Sequence, residues 1–412
     1  MLTNPSKTMT SSKVDYDFAI VGAGISGLTA AVTISRENPS ASILLIERSD
    51  RVGGRILNTQ EPLGSNQDPQ GVDLGGAWLW PSSMPFTMQL VNRYKVQLVK
   101  QKGTDGTQMR IQGGVSVLVQ RLFNELNVRT NIESDSLKTL KENDSNPGKK
   151  VTIKLNSTLV KVKEHSNEGY VDLTIKENDI KNLSQTPSSI NTKVRHLVIS
   201  LPPAKIVEDI EFVGSESRYI TNNLKKQMKQ QPIWMASAGK LALSYKEKFW
   251  DSSRIMLSLH PPKFVTPNAP GGNVAGAFQI YDAGINDKKE HTIVAFVTCG
   301  KGNDNPYDAQ TMAKIVAKQL DEHVPDIDRS YSFLNYNSVY LKCWKTDKNI
   351  NKVNDAEPFP IHPQPIFGIN DDTVKERRVW FGGSEASEDW TGMIEGAVMN
   401  GIEVGKKIAN RS

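Results

Sequence analysis

Hydrophobic positions along this chain fall into short blocks separated by polar and glycine-rich segments. Asp17-Phe18-Ala19-Ile20-Val21 is a compact apolar block of the kind a strand buried on both faces requires, and Ile43-Leu44-Leu45-Ile46 is a second. Between them Gly22-Ala23-Gly24-Ile25-Ser26-Gly27 interrupts the pattern, and Leu28-Thr29-Ala30-Ala31-Val32 supplies the small residues of a closely packed helix. Strand, glycine turn, helix and strand within about 30 residues predict a βαβ unit. Over 115–126, Val115, Leu118, Val119, Leu122, Phe123 and Leu126 recur at helical spacing and predict an amphipathic helix with one core-facing stripe. Residues 151–200 read as strands (VTIKL, LVKVKEH, YVDLTIKE, HLVISL), broken by linkers rich in Asn, Ser, Asp and Pro around 141–150 and 178–193. Pro202-Pro203 ends the last of them. A helix is expected over 312–324, a polar, Pro-rich surface loop over 345–365, a strand at Val379-Trp380-Phe381 and a closing helix from about 392 to 409. No internal repeat is present.

Length and composition narrow this picture. A chain of 412 residues accommodates two domains of roughly 150–200 residues each. With 38% hydrophobic and 23% charged residues it can bury a large core, and global disorder is excluded. Lys plus Arg number 50 against 45 Asp plus Glu, and the net charge of +5 is spread rather than blocked, so no nucleic-acid partner is expected. Only Cys299 and Cys343 occur, which excludes a disulfide framework and a four-cysteine zinc site and fits a reducing compartment; no metal site is expected. No apolar run reaches the roughly 18–20 residues of a membrane helix. Residues 1–13 are polar and lack the apolar region of a secretory signal, so they read as a disordered tail. The terminal KKIANRS carries no retention or peroxisomal address, and a cytoplasmic location is the expectation.

The glycine turn has specific chemistry. Gly22 permits the tight turn, Gly24 lets a pyrophosphate approach the backbone, and Gly27 lets the helix pack on the strand. The helix N-terminus then offers free N–H groups and a positive dipole end to phosphates. Glu47, ending the second strand, stands where a carboxylate accepts both hydroxyls of an adenosine ribose. This fingerprint indicates a dinucleotide without choosing between NAD and FAD. Three later segments bear on that choice: Arg48-Ser49-Asp50-Arg51-Val52-Gly53-Gly54-Arg55, Asp73-Leu74-Gly75-Gly76-Ala77-Trp78, and the distant Phe381-Gly382-Gly383-Ser384-Glu385 with Asp389-Trp390-Thr391-Gly392-Met393-Ile394-Glu395-Gly396-Ala397-Val398. Each glycine pair brings backbone close to a ligand again, and Arg55 can set a fixed charge against the pyrophosphate.

With these segments in view the chain resembles the flavin amine oxidase family, which includes monoamine, polyamine and L-amino-acid oxidases. The resemblance rests on GAGISGLTAA, IERSDRVGGRI, DLGGAW, HLVISLPP, GKLALSYKEKFW and FGGSEASEDWTGMIEGAV, in family order from residue 17 to about 409. It implies an α/β fold: a Rossmann-like FAD-binding domain with a parallel sheet, plus an α+β substrate domain with a mixed sheet. The FAD-binding domain would take 14–80, 111–203 and 366–412, and the substrate domain 81–110 and 204–365. By the same resemblance Gly22, Gly24, Ser26, Gly27, Glu47 and Arg55 hold phosphates and ribose, with Arg48 and Gly54 beside them. Gly76, Ala77 and Trp78 lie near the isoalloxazine, Gly75 beside them also binds the cofactor, and Leu159 meets the adenine through its backbone. Glu385 and Ile394 lie near the ribityl chain and flavin ring, with Trp390 and Met393 in the same closing motif. Trp78, Trp80, Trp344 and Met393 would wall the substrate pocket. The closing helix would point its N-terminus at the flavin pyrimidine end, where its dipole stabilises the anionic reduced ring. FAD would be non-covalent, since covalent members use a cysteine in the loop before the last strand and 345–378 has none.

Composition alone makes Lys240 an ordinary exposed lysine. The resemblance makes it the catalytic residue, holding a water near flavin N5. The implied reaction moves a hydride equivalent from an amine α-carbon to N5, followed by imine hydrolysis and reoxidation by O2 to H2O2. An L-amino-acid oxidase or desaturase on the same scaffold, and a non-catalytic FAD-binding protein, remain alternatives. The chain departs from the family in three places. Tyr94 and Gly113-Gly114 lie fewer than twenty residues apart, so much of the helical substrate cap is missing, and the pocket is open or completed by another copy in a homo-oligomer. Met393 stands where an aromatic is common. Trp78 stands where amino-acid oxidases place an arginine, which argues against an amino-acid substrate and leaves an arginine from elsewhere, such as Arg110, open.

Overall fold

A computed structural model describes residues 13–60, 69–126, 129–130, 151–165, 167–177, 188–214, 220–236, 238–258, 276–286, 288–299, 308–324, 331–351, 362–366, 369–370 and 377–411. The expected linker at 141–150 and all but one residue of the expected tail lie outside them.

The chain opens with β1 (Tyr16–Val21), α1 (Ile25–Glu37) and β2 (Ile43–Ile46). All four residues of β2 and the last four of β1 are buried, as the unbroken apolar blocks require. The two strands pair in parallel, Phe18 opposite Ile43 through Val21 opposite Ile46, which is the expected βαβ unit. Next come β3 (Trp78–Leu79), α2 (Pro85–Arg93), β4 (Leu98–Lys100) and β5 (Met109–Ile111); the three strands form a small antiparallel sheet in the order β3-β5-β4. This hairpin is all that lies between α2 and α3 (Ser116–Leu126).

The segments β6 (Arg129–Thr130), β7 (Val151–Lys154), β8 (Ser157–His165), β9 (Tyr170–Glu177) and β10 (Ser188–Ile199) complete the first sheet with β11 (Glu211–Val213), which follows α4 (Pro203–Asp209). Its order is β11-β8-β9-β10-β1-β2-β7-β6, and β17 (Val379–Phe381) pairs with β10. The strands β6, β7, β2, β1, the second half of β10 and β17 run parallel; β8, β9 and the first half of β10 form an antiparallel meander. Residues 188–193, read above as linker, are strand. Their polar side chains alternate with partly buried ones because this half of β10 pairs only with β9.

The second sheet is antiparallel, β13-β14-β15-β12-β16, built from β12 (Ala238–Tyr245), β13 (Leu257–Ser258), β14 (Ala277–Ile285), β15 (His291–Thr298) and β16 (Ser338–Cys343). One face is covered by α6 (Ala309–His323), whose Met312, Ala313, Val316, Ala317 and Leu320 meet Leu241, Leu243 and Val297. This helix starts three residues before the expected position because the Asp308 carboxylate accepts the Thr311 N–H at 2.7 Å and caps it. Strand alternation turns the other face, with Ala242, Tyr281, Val294 and Phe296, toward Val72, Leu74 and Trp78. The closing helix α7 (Ile394–Ala409) packs on α1. There Gly401 and Gly405 allow close approach: added Cβ atoms would lie 2.5 Å from the Ser26 carbonyl oxygen and 2.8 Å from Thr33 Cβ.

Two expectations are corrected. Residues 345–351 are no surface loop: Lys345, Ile350 and Asn351 are buried, and the Asn351 amide donates to the carbonyls of Ala236 and Trp344. Their polarity serves backbone acceptors rather than solvent. Cys299 and Cys343 form a disulfide, with Cα atoms 5.9 Å apart, so the pair gives no support to a reducing compartment. Among the described residues no helix is long and apolar enough to cross a membrane.

Candidate active site

The glycine turn is shaped by what its residues cannot carry. Gly22 has φ 95°, and a Cβ there would lie 2.4 Å from the Ser200 carbonyl oxygen; one at Gly27 would lie 2.0 Å from the Gly22 carbonyl oxygen. Gly24 begins α1 with no side-chain cap, so the first N–H groups of the helix and the positive end of its dipole are left to an external acceptor. Across from it the Gly53 N–H donates to the Ala23 carbonyl at 2.8 Å, and a Cβ at Gly24 would find nothing nearer than 4.0 Å. Glu47 is buried: one oxygen accepts the Ala23 N–H at 2.7 Å, the other the Ser49 N–H and hydroxyl at 2.9 and 2.6 Å. The segment preceding Leu159 lies beside it, with the Ser157 N–H on the Glu47 carbonyl.

Arg48 points away from this turn and pairs with Asp209 of α4 at 2.9 Å. Gly54 (φ 58°) is held through its carbonyl by Arg51 at 2.8 Å. Arg55 grips Glu385 with two hydrogen bonds of 2.7 and 2.9 Å and also reaches the Ser384 hydroxyl. Burial alone would raise the Glu385 carboxyl, but the Arg55 guanidinium outweighs it and holds the group below its ordinary value. The Gly383 N–H donates to Ser26 Oγ at 3.0 Å, tying this corner to α1.

The 73–78 segment packs between these parts. A Cβ at Gly75 would lie 1.9 Å from the Arg55 carbonyl oxygen, and one at Gly76 3.1 Å from Ile394 Cδ1, so Gly76 and Ile394 are neighbours. Met393 starts α7 without a side-chain cap, a second open helix N-terminus. Met393 and Trp390 line a cavity of about 320 Å³ with His362, Pro363, Glu388 and Asp389. Trp80 is partly buried and packs against the core cluster that contains Leu79, Met84 and Leu90. Trp344 reaches the 73–78 segment, where its indole N–H donates to the Leu74 carbonyl at 2.8 Å.

Lys240 is the second residue of β12, and strand alternation sets it on the same face as Ala242. It is only 3% exposed. Its Nζ donates to the Gly75 carbonyl at 2.6 Å, the Tyr281 hydroxyl oxygen at 3.2 Å and the Asp73 carbonyl at 3.4 Å, and lies 4.8 Å from the Phe296 ring centroid. Burial pushes the ammonium below its ordinary range, opposed by the Asp73 carboxylate and assisted by Arg110. Burial likewise raises the Asp73 carboxyl, against Lys240, the Val115 N–H and Arg110. Trp78, Tyr281 and Phe296 form an aromatic wall, with the Trp78 centroid 5.0 and 5.4 Å from the other two.

The sequence reading missed four residues here. Tyr281 and Phe296 carry the alternation of ordinary strands and stand out only once the two sheets face each other. Asp73 was quoted within its motif and given no role. Glu395 is fully buried in α7, and its carboxylate accepts the N–H groups of Phe86 and Thr87 and the Thr87 hydroxyl, at 2.8, 2.8 and 2.6 Å. It caps α2, whose Met84 provides no side-chain cap. No local signal marks it, because its partners are 308 and 309 positions away.

Two uncapped helix N-termini, a glycine-lined cradle and a buried carboxylate at the end of β2 fit an extended dinucleotide. The comparisons agree. Residues 20–94 match the model of an NAD(P)-binding Rossmann-like domain, and residues 96–409 match that of flavin containing amine oxidoreductase. The chain belongs to the flavin-containing amine oxidoreductase family. That is a family of flavin-containing oxidoreductases, and the fold of this chain is α/β with a Rossmann-like domain. An L-amino acid dehydrogenase of Synechocystis sp. is 37% identical over 94 residues, 23% of this chain and 18% of that protein. The aligned stretch therefore spans less than a fifth of that relative. Among solved structures, a putrescine oxidase variant superposes with TM-score 0.61 at 14% identity over 96% of this chain and 99% of that one. Cyclohexylamine oxidase from Brevibacterium oxydans gives 0.57 at 16% identity with the same coverage. At such identities these superpositions speak for the fold alone.

Proposed function

We propose that this oxidoreductase oxidises the C–N bond of an amine to an imine at a non-covalently bound FAD. The observation that carries the reading is Lys240, a lysine withdrawn from water on the sheet face toward Gly75 and Trp78, its Nζ fixed by backbone and phenol oxygens. Desolvating an ammonium is costly, and the three oxygens and the Asp73 carboxylate around it offset that cost, so a lysine kept here rather than an apolar side chain points to a role beyond packing. The uncapped start of α1, Gly24 and Gly53–Gly54 would hold the phosphates, Glu47 the ribose, and Ala77, Trp78 and the start of α7 the flavin end. When bound, FAD supplies the acceptor for the hydride equivalent leaving the amine α-carbon and is turned over by dioxygen with release of hydrogen peroxide. Lys240 would hold and orient a water at the reacting face, and Trp78, Tyr281 and Phe296 would exclude bulk water from it. The two sheets would then correspond to an FAD-binding and a substrate domain.

The test is direct. Purified protein is expected to be yellow and to bleach anaerobically with an amine; a yellow protein that no amine or amino acid bleaches supports the non-catalytic reading. Non-covalent attachment is favoured because both cysteines are joined to each other. Acid precipitation should release the flavin to the supernatant, and yellow retained in the pellet overturns that part.

A further inference from the structure

We propose that the Cys299–Cys343 disulfide holds Lys240 in its working position, so that the reaction needs the bridge closed; this deepens the amine-oxidising reading above and rests on its assignment of Lys240. The two cysteines belong to the strands on either side of β12. Cys343 ends β16, where it lies opposite Gly239, and Cys299 directly follows β15, whose Val297 lies opposite Gly239 from the other side. Two strands separated by a third are about 9.5 Å apart. The two Cα atoms are only 5.9 Å apart, so the chain leaving β15 turns across β12 to reach β16. It crosses at Gly239, where a Cβ would lie 2.8 Å from Cys299 Sγ. The sulfur takes the space of a side chain, and glycine is what that position permits. Strand alternation puts the bridge on the α6 side of the sheet and Lys240 on the opposite side. The disulfide therefore lies directly behind the backbone that carries the lysine.

The same bridge reaches the acceptors of the ammonium. Trp344 follows Cys343; its backbone N–H donates to the Ala238 carbonyl at 3.1 Å and its indole N–H to the Leu74 carbonyl at 2.8 Å. Leu74 lies between Asp73 and Gly75, whose carbonyls accept the Lys240 ammonium. Cys343 thus ties down both the strand that presents Lys240 and the segment that receives it. Each needs the tie. Lys240 stands near the end of a strand, where ladders fray, beside a glycine with no side chain to pack, and the receiving segment carries Gly75 and Gly76. Misplacing a catalytic group by about 1 Å can slow a reaction a hundredfold. The bridge is buried, with Cys299 2% and Cys343 8% exposed, so it reacts slowly. Opening it takes two electrons and two protons from a dithiol, which leaves as a cyclic disulfide while both cysteines become thiols.

The FAD-loaded full chain is reduced with excess dithiothreitol, freed of it under argon and checked for two thiols. The double variant Cys299→Ala, Cys343→Ala is the second open form, and reduced wild type serves alone if that variant does not fold. Lys240 is followed first without turnover. Amide exchange at Leu241 and acetylation of the Lys240 amine, read by mass spectrometry, should rise by roughly tenfold or more in the open forms, with FAD content unchanged. Reoxidation of dithionite-reduced flavin by dioxygen, which needs no amine, and flavin reduction by benzylamine give the kinetic readout. Whichever depends on Lys240 should slow by roughly tenfold to a hundredfold, with KM for benzylamine unchanged. Its alkaline limb should move up toward the ordinary lysine value of 10.5, because a loosened ammonium gains water. Closing the bridge with oxidised glutathione should restore wild-type behaviour. A lowered denaturation midpoint with Lys240 reactivity, rates and limb unchanged makes the bridge a staple of the fold alone and overturns the inference. Two free thiols in fully active protein overturn it as well. If no amine bleaches the flavin, the amine-oxidising reading fails, while exchange, acetylation and reoxidation still decide whether the bridge holds Lys240.

Discussion

Arg55 and Glu385, 330 positions apart, are joined by two parallel hydrogen bonds of 2.7 and 2.9 Å, and this ion pair closes the corner between the glycine turn and the start of α7. Glu385 is 1% exposed on its side chain and Arg55 29%, so the carboxylate depends on the guanidinium far more than the reverse. Arg55→Met would leave a buried, unpaired carboxylate, at a cost of about 3–5 kcal/mol. Glu385→Gln should cost less, because an amide needs no counter-ion. The pH dependence follows from the sign of the shift. The folded-state Glu385 carboxyl lies below its ordinary value of 4.5, so the pair's stabilisation is fully present above that pH and is lost as pH falls through the lower folded value. Denaturation midpoints of wild type and Glu385→Gln should differ at neutral pH and converge in acid; a constant gap across the range would count against the pair.

Glu47 carries two loads at once. It holds the turn through the Ala23 and Ser49 N–H groups, and in the proposed reading it also receives the ribose hydroxyls. Glu47→Ala is expected to weaken FAD binding by roughly 1.5–3 kcal/mol and to loosen the turn, while leaving the rate of flavin reduction in loaded enzyme little changed. Flavin fluorescence during dialysis measures the first, and stopped-flow absorbance of reloaded protein the second. Full retention of FAD by the variant would remove Glu47 from the cofactor site.

What could be read from the sequence was what local pattern encodes. The apolar blocks at 17–21 and 43–46, the stripe over 115–126 and the glycines at 22, 24 and 27 each dictate their own structure through burial, periodicity and steric limits, and all lie where expected. The same logic failed where a polar residue's partner is distant in sequence. Asn351 looked solvated and is buried on two carbonyls; Ser188–Asn191 looked like linker and is strand because Glu177–Thr174 lies opposite. Arg110 and Trp78 are 32 positions apart in number and adjacent only because β3 and β5 pair, which no motif announces.

Glu395 offers a test of such distant coupling. Its carboxylate holds three donors at the start of α2 from inside α7. Glu395→Gln keeps the volume and sets an NH2 group against one of those donors. A loss of roughly 1–3 kcal/mol is expected, read as a lowered urea midpoint at unchanged slope, with faster amide exchange at Thr87. An unaltered midpoint and exchange rate would reduce Glu395 to a packing residue.

Lys240 carries the sharpest prediction. Its ammonium is bound to the carbonyls of Gly75 and Asp73 and to Tyr281, and it is not needed to fill the fold, so Lys240→Met should leave the protein folded and FAD bound. Flavin reduction by substrate, reoxidation by dioxygen, or both should slow by roughly tenfold to ten-thousandfold, the range for losing positioned proton-transfer catalysis. The alkaline limb of the affected half-reaction should lie below the ordinary lysine value of 10.5, because burial pushes the ammonium down, and Lys240→Met should lack that limb. Asp73 supplies the control. Its carboxylate favours the charged lysine and is itself held by the Val115 N–H at 2.9 Å, a bond the oxygen of Asn can keep. Asp73→Asn should therefore move the limb to still lower pH without abolishing it. Stopped-flow traces across pH separate the two half-reactions. If both rates in Lys240→Met match wild type with an intact spectrum, the lysine is structural and the non-catalytic reading moves ahead; if Asp73→Asn leaves the limb in place, the titrating group is another residue.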